Sequence, residues 1–317
     1  MRWVLGVFVT LVLLLIGAGI GGWLWLRSPD LPQAELEARY GSSASRFAEL
    51  PGGVRLHYKD EGAGPVLLLV HGFGDNLWTW DGWTKELTSR YRIIRVDLPG
   101  HGLTGAPTGT RIDVAADADL IAALAKKLAL PKFVVAGNSL GGAVAWQVAV
   151  RHPDILKGLI LVDAAGLPSD KPAQKPPFVF QLLQYQWARA ILKTIDSKPL
   201  IVSSLKGEVG NPAVITPQIV DRWAELQRAP GHRDILLGAP LTGKSLSATA
   251  EIHKIALPTL ILWGEIDPVL DLSVGKKFAA AIPGAHLVVY PHVGHLPQIE
   301  IPQASAKDVE TFLGGLH

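Results

Sequence analysis

The chain has 317 residues, 48% of them hydrophobic, which is enough apolar material for a sizeable core and excludes a chain that is disordered throughout. Its 30 basic and 28 acidic residues leave a net charge of +2 with no long run of either sign, so no nucleic-acid surface is expected. It has no cysteine, and therefore no disulfide, thiol nucleophile or thiolate metal site.

Residues 3–26, WVLGVFVTLVLLLIGAGIGGWLWL, carry no charge and exceed the roughly 20 residues a helix needs to cross a bilayer. A cleaved signal peptide is the competing reading, with small residues at Gly17, Ala18 and Gly19, but its apolar core runs only about 7 to 15 residues. The stretch resumes through Trp23 and Trp25, side chains suited to a headgroup boundary, so an uncleaved single-pass anchor is expected over residues 1–27. In a bacterial host the domain behind it is expected outside the cytoplasm. Residues 28–51 are polar and contain two prolines among mixed charges before Arg46, which reads as a linker.

From Val54 the pattern changes. VRLHYKDEG alternates as an edge strand, and VLLLVHG is a continuous apolar run, as in a strand buried on both faces. RIIRVDLPG repeats that design. A helix is expected from about Ile112 to Leu128, then the buried strand FVVAGNS, a helix from Gly141 to Arg151, and the strand GLILVDAAG. After Leu167 the rhythm breaks into proline clusters and helical patterns. TLILWGEIDPV, HLVVYPHVGH and the helix AKDVETFL then restore it. The expected fold is α/β: a mostly parallel sheet covered by helices on both faces, formed by residues 52–167 and 257–317 and interrupted by a helical cap over residues 168–256. Function should sit at the carboxyl ends of the strands.

Gly137-Asn-Ser139-Leu-Gly141 spells G-x-S-x-G between a strand and a helix. A serine alcohol needs a base to take its proton and a turn that exposes its oxygen, and small residues two positions either side let such a turn close. The competing reading is a serine that merely caps a helix. Of ten histidines, His295 lies in a loop past the last strand and is the expected general base, with His292 its nearest rival. A carboxylate must accept the imidazole N–H and fix its tautomer. Asp267 follows a buried strand and lies between serine and histidine in the chain. Asp163 also ends a buried strand and is the serious rival, while Glu265 and Asp271 read as loop charges. The oxyanion of a tetrahedral intermediate needs backbone donors, expected at Leu140, after the serine, and at Phe73 in the HGFG loop, with His71 orienting that loop. No metal or organic cofactor is required.

VHGFGDNLWTW, DLPGHG, GNSLGGAVAWQVAVRHPD, LILWGEIDPV and VGHLPQIE, in this order, resemble the α/β-hydrolase superfamily, and within it bacterial lipases and membrane-anchored monoacylglycerol lipases. Carbon–carbon bond hydrolases of meta-cleavage products are neighbours. The resemblance implies the α/β-hydrolase fold, a Ser139–His295–Asp267 triad and an oxyanion hole at Phe73 and Leu140. A serine at the elbow departs from the epoxide hydrolase and haloalkane dehalogenase pattern, which places aspartate there. Apolar cap residues (Phe178, Phe180, Leu182, Leu183, Tyr185, Trp187, Ile191 and Trp223) either roof the site or glue cap to core. With the anchor they point to a hydrophobic, lipid-like ester as substrate. The alternatives are carbon–carbon bond hydrolysis by the same residues, or a retired enzyme that binds a small ligand.

Overall fold

Apolar runs bounded by glycine and proline become the strands of one sheet. The computed structural model describes residues 2–105, 107, 109–171, 182, 185–238 and 249–316. The strands are β1 Ser45–Leu50, β2 Val54–Glu61, β3 Val66–Val70, β4 Arg92–Val96, β5 Phe133–Asn138, β6 Leu156–Val162, β7 Thr259–Gly264 and β8 His286–Tyr290. The helices are α1 Arg2–Leu26, α2 Gln33–Tyr40, α3 Asp81–Leu87, α4 Val114–Lys127, α5 Leu140–Arg151, α6 Gln186–Leu192, α7 Lys198–Glu208, α8 Pro217–Leu226, α9 His232–Gly238, α10 Leu272–Ala281, α11 Pro297–Glu300 and α12 Pro302–Gly314. The sheet order is β1-β2-β4-β3-β5-β6-β7-β8. β2 is antiparallel to both neighbours, and every pair from β4 to β8 is parallel.

Successive strand residues face opposite sides of the sheet, and both sides are buried. Leu68, Val70, Ile94, Val96, Val135 and Leu161 pack with Ile121 and Leu124 of α4, Val144 and Trp146 of α5 and Phe278 of α10. Their neighbours Leu67, Leu69, Ile93, Val134, Ile160 and Val162 pack on the other side with Trp83 and Leu87 of α3 and Val309 and Leu313 of α12. This two-sided burial is why the parallel strands read as unbroken apolar runs.

Two expectations need correction. Residues 28–51 are not a linker: they contain α2 and β1, and β1 is the edge strand, paired from Ser45↔Lys59 to Leu50↔Val54. β2, expected at the edge, is therefore interior. α2 lacks a strong pattern of its own and is held by tertiary contacts. Leu36 is fully buried beside Leu77, Trp78, Leu103 and Leu226, and Arg39 donates to Glu225 at 2.5 Å. The core accordingly starts at β1 rather than at residue 52.

The span Gly6–Leu26 of α1 is long and apolar enough to cross a membrane, and the side chains described in it are exposed. Its end is stitched to the inserted segment. Trp23 Nε1–H donates to Thr194 Oγ1 at 3.0 Å, Ser28 N–H to the Thr194 carbonyl at 2.8 Å, and Asp196 N–H to the Leu26 carbonyl at 2.9 Å. Arg233 adds bonds to the Ser28 carbonyl (2.8 Å) and to Asp30 (2.6 Å).

The insertion carries α6 to α9 and, among its described residues, no named strand. Its bonds to the core include Gln227 Nε2 donating to the Gly74 carbonyl (2.9 Å) and His232 Nε2 lying 3.1 Å from the Thr104 carbonyl. Trp223 is buried with Val220, Leu205 and Leu296, so it glues cap to core. Tyr185, Trp187 and Ile191 remain exposed instead, Trp187 at 60%. Phe178, Phe180 and Leu183 lie outside the described residues.

Candidate active site

The turn after β5 is the most strained point of the site. Ser139 has φ 54° and ψ −116°, a conformation that costs a non-glycine residue about 1–3 kcal/mol and persists only where its surroundings impose it. Here they do. Ser139 N–H donates to the Val162 carbonyl at 3.1 Å, and its own carbonyl accepts from Ala143 (3.1 Å) and Ala165 (2.9 Å). The glycines follow from close approach: a Cβ at Gly137 would lie 2.0 Å from the Gly141 carbonyl oxygen, and one at Gly141 would lie 2.2 Å from that of Val70. Ser139 receives no side-chain capping bond and its hydroxyl caps nothing, so the helix-cap reading of this serine fails.

His295 and Asp267 meet from the loops after β8 and β7. His295 Nδ1 lies 2.7 Å from Asp267 Oδ2, with both side chains buried. The other Asp267 oxygen accepts from the N–H groups of Val269 (2.7 Å) and Leu270 (2.9 Å), which fixes the carboxylate in one orientation. Nδ1 therefore carries the proton toward Asp267, and Nε2 is left as the basic nitrogen. Asn138, immediately before the serine, donates through Nδ2 to the His295 carbonyl at 3.1 Å and ties the histidine loop to the elbow.

Burial alone would lower the His295 pKa; the adjacent Asp267, through charge and hydrogen bond, outweighs it and raises the pKa above the ordinary 6.5. His295, expected from the sequence as the base, would act only when neutral, so activity should fall as pH drops through that raised value. A kcat/KM profile should therefore show its acidic limb above pH 6.5.

The rival residues are placed differently. His292 is exposed, and its backbone N–H donates weakly to Glu265 at 3.4 Å. Asp271 caps α10 by accepting from Ser273 N–H at 3.0 Å. Asp163 is not an alternative at a distance: it is fully buried, and one donor atom each from Asp163, Asp267 and His295 lie within 4.8 Å of one another. Among the described residues this trio is the one cluster with metal-ligand spacing. Within it, His295 Nδ1 and both Asp267 oxygens make the bonds above and Asp163 Oδ1 accepts from Gly264 N–H at 2.9 Å, while Asp163 Oδ2 accepts from no donor among the described residues.

The HGFG loop reaches the serine from β3. A Cβ at Gly72 would lie 3.3 Å from Ser139 Cβ, so Phe73 follows directly on a contact with the elbow. His71 bridges backbone, with Nδ1 2.7 Å from the Gly72 carbonyl and Nε2 accepting from Leu98 N–H at 3.0 Å. Burial pushes its pKa down despite Asp97, which keeps the ring neutral and in that bridging role. Leu140 is the first residue of α5, where helical N–H groups have no partner within the helix. His57 and Asp97 form another buried pair at 2.7 Å, but Asp97 also accepts from Leu77 and Leu103 N–H (2.8 and 2.9 Å), so this pair ties loops together.

Several residues that shape the site were missed in the sequence. Glu300, on α11, accepts from the N–H groups of Gly294 (2.9 Å) and Gly210 (2.7 Å), clamping the histidine loop to the cap. The Glu208 carbonyl accepts from His295 N–H at 2.7 Å. The only signal for Glu300 was the sequence HLPQIE, in which it stands five residues after His295. Gly264 lets that loop lie on β7, since a Cβ there would meet the Gly294 carbonyl oxygen at 1.9 Å. Gly264→Ala should cost about 3 kcal/mol or more by overpacking against backbone, read by thermal unfolding, with loss of activity ahead of loss of fold.

Residues 65–302 match the family described as the alpha/beta hydrolase fold. An uncharacterized protein of Mycobacterium tuberculosis is 30% identical over 278 residues, covering 82% of this chain and 79% of that one. The 2-hydroxy-6-oxo-6-phenylhexa-2,4-dienoate hydrolase of Burkholderia cepacia is 28% identical over 268 residues, covering 82% of this chain and 91% of its own. Among solved structures, a bacterial membrane phospholipase A superposes with a TM-score of 0.73 at 25% identity, covering 99% of this chain and 98% of that one. With its eight-stranded sheet in the order found above and this match over most of its length, the chain belongs to the α/β-hydrolase fold family.

Proposed function

We propose that the protein is a membrane-anchored serine hydrolase that cleaves carboxylic esters with hydrophobic, lipid-like acyl groups. The observation that carries this reading is the Asp267–His295 pair at 2.7 Å, tied through Asn138 to a strained elbow that presents Ser139. Ser139 Oγ attacks the ester carbonyl while His295 Nε2 takes its proton. The tetrahedral oxyanion is held by the backbone N–H groups of Phe73 and Leu140. His295 then protonates the leaving alcohol, and water hydrolyses the acyl-enzyme with His295 again as base. Asp267 holds the tautomer and stabilises the imidazolium. Each step uses only this chain's residues and water. The anchor is α1, and the likeness to a membrane phospholipase over nearly the whole chain supports both it and a lipid-like substrate. The catalytic domain then lies against the outer face of the cytoplasmic membrane.

The second reading, carbon–carbon bond cleavage of a vinylogous diketone, is favoured by the Burkholderia cepacia relative. One experiment separates the two. Membrane and soluble fractions of expressing cells are labelled with a fluorophosphonate probe, and the purified protein is assayed on p-nitrophenyl esters of graded length, monoacylglycerols and a meta-cleavage product. Labelling in the membrane fraction with ester turnover rising with acyl length is expected. Turnover of the diketone alone would replace the ester reading, and absence of labelling would remove the serine enzyme.

A further inference from the structure

We propose that Asp163 is a positioning residue for the Asp267–His295 pair, its carboxyl remaining a neutral acid that donates its proton to Asp267. The inference rests on the reading of that pair as catalytic, and deepens it. Asp163 ends β6 and Asp267 follows β7; because these strands are parallel neighbours in register from Leu159↔Thr259 to Val162↔Leu262, their loops emerge side by side. The result is two buried carboxyls with oxygens within 4.8 Å in a site where charge is poorly solvated. Two such groups cannot both ionise, so one proton is shared between them.

Their partners decide where the proton resides. Asp267 faces an imidazole N–H through one oxygen and two backbone N–H groups through the other, all donors that favour a charged acceptor. Asp163 receives one N–H, from Gly264, on Oδ1. Its Oδ2 accepts from no donor among the described residues, which suits a hydroxyl and would be costly for a charged oxygen. The charges around it agree: Asp267 and, from α11, Glu300 both disfavour a negative charge on Asp163, and the Tyr290 hydroxyl of β8 donates to Asp308. His295, which gains a positive charge in taking a proton, pairs with Asp267. Burial first, and then the Asp267 charge, push the Asp163 carboxyl well above its usual range. Asp163 also holds φ 41°, a left-handed conformation that aspartate and asparagine tolerate better than other side chains with a Cβ.

A donor at this place steadies Asp267 against the imidazole and draws off part of its charge, which keeps His295 from becoming too basic to work near neutral pH. The test uses the purified full chain in detergent. Infrared difference spectra of wild type against Asp163→Asn at pH 8 should contain the C=O stretch of a protonated carboxylic acid, belonging to Asp163. Asparagine keeps the backbone conformation and an N–H donor, so it should act as the conservative rescue, losing at most about twofold in kcat with the acidic limb of kcat/KM little moved. Asp163→Ala removes the donor; kcat should fall about tenfold at unchanged KM, and the limb should rise by about half a pH unit.

An acidic limb that drops by about one unit in Asp163→Asn would mean that a negative charge had been removed, and overturns the proposal, as does absence of the infrared band. A folded alanine variant with wild-type kcat and limb overturns the positioning role. If alanine fails to fold, the band and the asparagine profile still decide. If wild-type protein neither labels with fluorophosphonate nor turns over any ester, the proposed function fails, while the infrared band reports on Asp163 by itself.

Discussion

Replacing Ser139 with alanine should lower ester turnover by about a millionfold and abolish fluorophosphonate labelling while leaving the melting temperature unchanged. The size of the loss follows from the role: without the alcohol no acyl-enzyme forms, and only the contribution of substrate binding and oxyanion donors remains. The neutral effect on stability follows from the local structure. The Ser139 side chain caps no helix, while its backbone N–H and carbonyl make all the bonds that hold the turn, and alanine retains those. Alanine also keeps the strain at φ 54°. Ser139→Gly is the informative companion: with no Cβ to strain, it should raise the unfolding free energy by about 1 kcal/mol while remaining equally inactive. Calorimetry on the three proteins reads this difference. A serine chosen only for packing or capping would give the opposite order, with both variants less stable than wild type.

How much of this was visible in the chain depends on where each signal resides. The parallel strands could be read because burial on both faces leaves them no polar alternation, and Val66–Val70 or Thr259–Gly264 need no partner to be recognised. β1 could not. Ser45–Leu50 buries only Ala48 and Leu50 fully, and becomes a strand because β2 offers it an edge. α2 is similar: Leu36 and the Arg39–Glu225 bond hold it, and both act across distant sequence. Ser139 and His295 stand out because the roles proposed for them demand a particular turn and a particular loop. The choice between Asp163 and Asp267 was framed as one or the other, whereas the register of β6 and β7 places the two acids together. Such adjacency is a property of the sheet, which no local window contains. Glu300 escaped for the same reason, since the bonds it accepts from Gly210 and Gly294 join segments some 85 residues apart.

Asp267→Asn should reduce kcat by about ten-thousandfold with little change in KM and little change in fold. The fold survives because the asparagine carbonyl can occupy the Oδ1 position and accept from Val269 and Leu270 N–H as the carboxylate does. That assignment forces the amide nitrogen into the Oδ2 position, 2.7 Å from His295 Nδ1, where it can only donate. His295 must then present its bare Nδ1 to the amide and carry its proton on Nε2, the nitrogen that has to accept from Ser139. The base is lost by tautomer as well as by loss of the charge that stabilises the imidazolium. Asp163 does not compensate: its Oδ1 is bonded to Gly264, and as a neutral acid it offers Asp267, or an asparagine in its place, a proton and no charge. Steady-state kinetics on Asp267→Asn and Asp163→Asn side by side should therefore separate two acids that share one pocket, with a severe loss in the first and near-normal rates in the second. Equal losses in both variants would mean that the charge is divided between them. A severe loss in Asp163→Asn alone would transfer the orienting role to the end of β6.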